Sequence, residues 1–183
     1  MWGEYYLKKA VAVIVLILMF FLIYFLQINF FDWFTIAGIK PNLFVIYVLI
    51  IGIFAGKRVG TIAGFCIGMY IDILTGRFVG ISAVLFAIIG FSSEYLNKNV
   101  SSENKLTLIL IVMANTFFYE LIYYLISAWR LAISIELFPF LKILFIEIFY
   151  NSLLIIILYP AIQKFGNFLT ETFSKKKSST MYF

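Results

Sequence analysis

Five polar residues stand inside otherwise apolar stretches, and they are the candidates for chemistry: Asp72, Asn115, Glu120, Glu147 and Asn151. A carboxylate at the centre of a membrane helix costs about 2.5–3.5 kcal/mol, and less near an interface. Such residues commonly mark ion or substrate pathways. The chain has no histidine, which removes the commonest general base and proton shuttle. Three acids without a buried basic partner make a poor relay, so inter-helical hydrogen bonds, with at least one acid protonated, are the expected role. Glu147 and Asn151 are spaced i, i+4 and share a helix face, whereas Asn115 and Glu120 are out of register. The roles of Asn115, Glu120 and Glu147 stay open. The one cysteine, Cys66, lies in an apolar helix, so it reads as a small core residue and supports no disulfide framework. There is no phosphate loop, no HExxH and no Ser-His-Asp set, and Ser82, Ser92 and Ser93 have no base nearby in sequence. The residues indicate a protein that is not an enzyme, with no catalytic residue, cofactor or metal.

One of the acids ends a pattern. Gly60, Gly64 and Gly68 recur every four residues, the next step is Asp72, and two more reach Gly76 and Gly80. Four helical residues turn about 400°, so successive positions drift by about 40° and form one slanted stripe. Small residues at this spacing let a neighbouring backbone approach closely. The stripe therefore serves either packing inside the chain or docking of a partner helix. Asp72 falls near a helix C-terminus, where it opposes the macrodipole. Arg77, or free amides of the following turn, would compensate; a partner-facing contact is the functional alternative.

The elements that carry these residues are apolar. Of 183 residues 64% are hydrophobic and 13% charged, with a mean hydropathy of +1.05. A soluble domain is about half apolar, so this is an integral, all-α membrane protein of one domain. Six spans are expected, at about 10–31, 43–55, 59–74, 78–95, 106–126 and 141–162. The second and third are short enough to form a re-entrant hairpin instead. Residues 164–183 read as a basic, disordered cytoplasmic tail. The net charge of +5 comes from residues at helix ends, which suits membrane topology rather than nucleic acid. With the N-terminus inside, ten lysines and arginines are cytoplasmic and four are outside (Lys40, Arg77, Arg130 and Lys142). That distribution obeys the positive-inside rule and places both termini in the cytoplasm. Lys175, Lys176 and Lys177 are each worth about 1 kcal/mol near anionic lipid.

The ordered set Lys40-Pro41-Asn42, then Gly60, Gly64, Gly68, Asp72, Gly76 and Gly80, resembles the MreD family of bacterial rod shape-determining membrane proteins. Pro41 and Asn42 match the start of that family's second helix, and Asn151 and Pro160 match positions in its last. The specific part covers roughly residues 40–95; Glu120 and Glu147 match no family position. The resemblance implies a non-catalytic scaffold of the cell-elongation complex in the bacterial cytoplasmic membrane. It implies direct binding of MreC, a single-span coiled-coil protein, by a helix in a groove. Through MreC it implies links to MreB, RodA and a penicillin-binding transpeptidase. The family's fold looks similar to the S component of energy-coupling-factor transporters.

That similarity supplies the alternative function, a substrate-binding membrane subunit of an energy-coupling-factor-type vitamin transporter. It would need polar side chains from several helices to converge on an outward-facing pocket. An intramembrane enzyme lacks a nucleophile–base pair, and a channel lacks repeated polar pore positions.

Overall fold

The computed structural model describes residues 2–76, 79–99, 104–132 and 136–173. Six α-helices account for nearly all of them: α1 (Trp2–Phe25), α2 (Leu43–Ala55), α3 (Lys57–Thr75), α4 (Ile81–Asn99), α5 (Lys105–Leu131) and α6 (Leu137–Phe173). Four helices are long and apolar enough to cross a bilayer: Tyr6–Phe30, Lys57–Thr75, Lys105–Leu131 and Leu137–Phe173. Leu43–Ala55 and Ile81–Ser93 are apolar but shorter.

The short helix α2 is the centre of the molecule. All 13 of its residues are buried, and it packs against α3, α4, α5 and α6. A helix that is hydrophobic all round is buried all round, and LFVIYVLIIGIFA offers no polar face. The Asn42 side chain caps its N-terminus, accepting from the Val45 N–H at 3.3 Å. Gly56, at φ 91°, turns the chain directly into α3. Beside this core α1 is peripheral. Ala12 and Leu16 are buried, while Ile14, Leu18, Phe21 and Phe25 are exposed, as suits a face turned to lipid tails. Its end widens into a π-helical turn over Leu26–Phe30. A two-residue hairpin at Ala37-Gly38 follows, closed by paired Ile36 and Ile39 backbones.

Helix ends depart from the sequence expectations in several places, and α1 already starts at Trp2 instead of about residue 10. Helix α4 continues to Asn99, through residues expected to begin a loop. Helix α5 runs through Trp129-Arg130 to a left-handed cap at Ala132, and α6 starts at Leu137, so both helices extend into the stretch between the expected fifth and sixth spans. Helix α6 also runs ten residues past Gln163, where the disordered tail was expected to begin. The reason is packing that continues past the apolar run. Ile162, Gly166 and Leu169 are buried, Gly166 sits against the Phe54 ring, and the Thr170 hydroxyl donates to the Phe54 carbonyl at 3.3 Å. Lys175, Lys176 and Lys177 lie outside the described residues.

Candidate functional site

The glycine stripe is a seam inside the chain. Gly60, Gly64 and Gly68 are buried and face α4, where Gly90, Phe86 and the Ser82-Ala83 backbone lie against them in turn. A Cβ added at Gly60 would lie 2.5 Å from the Gly52 Cα and 2.7 Å from the Gly90 carbonyl oxygen. One at Gly64 would run into the Phe86 carbonyl, and one at Gly68 into the backbone of Ser82 and Ala83. Backbone meets backbone along the seam, so no side chain there can rotate out of the way. Of the two roles open to this stripe, the geometry described here is that of packing inside the chain, with α4 lying in the groove. Gly76 and Gly80 do different work. A Cβ at either would meet nothing within 4 Å, but their φ angles of 62° and 104° carry the chain through the turn, where glycine is unstrained.

Asp72 closes the seam. Its Oδ2 accepts from the N–H of Gly80 at 2.8 Å and of Ala83 at 3.2 Å, and its Oδ1 from Ser82 at 3.3 Å. Helix α4 begins after a glycine, which has no side chain to cap the free donors of the first turn. Asp72 supplies that cap from the neighbouring helix. It also sets a carboxylate at the positive end of α4's dipole, which offsets its unfavourable place at the end of α3. The free-amide expectation thus describes the geometry; Arg77 lies outside the described residues.

A second polar group ties α2 to α5, α6 and the end of α1. The Asn151 Oδ1 accepts from the Asn42 N–H at 2.9 Å, and its Nδ2 donates to the Thr116 hydroxyl at 2.9 Å. Gln27 accepts from the Leu43 N–H at 3.0 Å and donates to the Pro41 carbonyl at 2.8 Å. Pro41 and Asn42 are therefore held from two sides. Tyr47 and Tyr150 donate to the carbonyls of Leu16 and Phe34, each at 2.6 Å. Asn115 stands apart from this network, since its amide donates to the Ile111 carbonyl of its own helix at 2.8 Å.

Glu120 and Glu147 come together. Their carboxyls lie beside one another and beside the Asn42 side chain, on the wall of a cavity of about 360 Å³. Glu147 shares its face of α6 with Asn151, as its spacing requires, but serves this cavity instead of the Asn42–Thr116 bridge. Gln27, Thr116, Tyr119 and Gly90 take part in these contacts and were not among the candidate residues read from the sequence. Cys66 is also placed differently from expectation: it is exposed, on the side of α3 that faces α1 across an apolar groove.

An all-helical bundle with four bilayer-length apolar helices, sealed internally by a glycine seam and hydrogen-bonded asparagines, is a membrane protein by construction. The family model of rod shape-determining protein MreD matches residues 8–169. The chain belongs to that family and has a part in determining rod shape. No curated protein matches it, and no solved structure does.

Proposed function

We propose that this chain is a non-catalytic scaffold of the cell-elongation complex, binding MreC directly and, through it, linking MreB to RodA and the transpeptidase. The observation that carries this reading is the family match over residues 8–169. In this reading α2 and α4 cross the bacterial cytoplasmic membrane with the four longer helices, both termini are cytoplasmic, and the fold is similar to a transporter S component. The positive-inside count supports the orientation. With the glycine seam occupied by α4, the seat assigned to the MreC helix is the groove between α1 and the α2–α3 hairpin. That groove has a volume of about 530 Å³ and is lined by Phe20, Ile51, Ile62, Cys66, Ile67 and Tyr70 among others. Its lining is almost wholly apolar, which suits a single membrane-spanning helix, where association rests on van der Waals packing.

Depletion in the native rod-shaped cell tests the scaffold role. Cells should lose rod shape and round up, and plasmid copies should restore rods. Cells that stay rod-shaped and elongate normally after depletion would refute it. The polar cavity beside Glu147 favours a second reading, the transporter subunit, which co-purification of ATPase subunits would establish.

A further inference from the structure

The cavity between the 31–42 loop and the adjoining ends of α2 to α6 is short of hydrogen-bond donors. Glu147 is only 6% exposed, yet its Oε1 has no hydrogen-bond partner, and it lines the cavity together with Glu120. The donors around the pair are committed elsewhere. Gln27 is engaged with Pro41 and Leu43, the Tyr119 hydroxyl is paired with Ser82 at 3.3 Å, and Lys40 at the rim is ion-paired with Asp32. That leaves the hydrogen bond between the two carboxyls themselves and the Asn42 amide beside both, neither of which reaches the Glu147 Oε1. Buried carboxyl oxygens without donors are costly, so the geometry is complete only when something brings N–H groups to them.

The rest of the wall selects the kind of donor. Phe86 and Tyr119 stack with centroids 4.9 Å apart, and Tyr119 and Tyr123 with centroids 5.7 Å apart, all within 17° of parallel. Aromatic faces attract cations, more strongly where water is excluded, and a charged N–H donor to a carboxylate makes one of the stronger hydrogen bonds. A volume of about 360 Å³ falls in the size range of small-molecule sites. We propose that this cavity binds a small organic cation, an ammonium or guanidinium compound, held by Glu120 and Glu147 beside the Phe86–Tyr119–Tyr123 stack. The site is separate from the apolar groove along α1, so it does not depend on where a partner helix sits.

The test uses the full-length protein in mild detergent, titrated with putrescine, agmatine or methylamine at matched ionic strength, with butanediol as the uncharged control. Calorimetry and thermal unfolding should show saturable binding of at least one of the amines and none of butanediol. Glu147→Gln and Glu120→Gln keep side-chain shape and should each weaken binding by about tenfold or more. Tyr123→Leu, at a half-buried position, should weaken it a few-fold; this variant keeps the proposal testable if a glutamine variant fails to fold. Absence of saturable binding with all three amines to the folded protein would overturn the proposal. So would affinity unchanged in a folded Glu147→Gln protein, or butanediol binding as tightly as the amines.

Discussion

Asp72→Ala should be among the most damaging single changes in the chain, and the geometry sets its size. Removing the carboxylate leaves the N–H groups of Gly80, Ser82 and Ala83 without the acceptors they have at 2.8, 3.3 and 3.2 Å. A buried donor without a partner costs about 1–3 kcal/mol. The three are not independent, and Gly80 is only partly buried, so a total of about 3–5 kcal/mol is expected. Asp72→Asn should be milder. Its single amide oxygen can take the place of Oδ2, which serves Gly80 and Ala83, but its NH₂ group then faces the Ser82 N–H. One lost hydrogen bond and the lost charge at the α4 N-terminus together amount to about 1–2 kcal/mol. Reversible unfolding in a detergent titration, followed by far-UV circular dichroism, gives both values on one scale. The order should be wild type, then asparagine, then alanine. An alanine variant within about 0.5 kcal/mol of wild type, the range of an uninvolved surface change, would refute the cap.

Other substitutions separate the seam, the turn and the groove. Gly60→Leu or Gly64→Leu should prevent α3 and α4 from closing and reduce the yield of folded protein, because the obstructing atoms are backbone; gel filtration after extraction checks this. Gly76→Ala, with open space around the new Cβ but a φ of 62°, should cost only about 1 kcal/mol in the same unfolding titration. Asn151→Leu should cost about 2–4 kcal/mol by stranding the Asn42 N–H and the Thr116 hydroxyl, and restoring that stability with a second change at Thr116 alone would contradict the bridge. Cys66 should react with a lipid-soluble maleimide in the isolated protein and become protected when MreC is co-expressed; equal labelling in both would remove the α1 groove as the seat.

The parts of the fold that were legible in the sequence are those written in local spacing. The four-residue glycine period and its terminal aspartate are visible without any structure. What the stripe packs against was not legible, because an intrachain helix and a partner helix ask for the same small residues. Gly90 shows the difficulty: its partner is Gly60, thirty positions away, and no local pattern joins them. The meeting of Glu120 with Glu147 is likewise a contact between α5 and α6 that neither helix's periodicity encodes. Helix ends were misjudged where polar residues interrupt the apolar run. Lys164 and the basic run at Lys175, Lys176 and Lys177 suggested a tail, while Gly166 and Leu169 kept one face of α6 packed against the core. Cys66 was misplaced because an apolar helix in a membrane has apolar residues on its lipid face as well as its core face.

Affinity purification of the tagged protein from mild detergent, with identification of what accompanies it, bears most directly on the scaffold role. A scaffold of the elongation complex should bring down MreC in near-equimolar amount, with a RodA-type polymerase in lesser amount. Recovery with ATPase subunits and no MreC would contradict it.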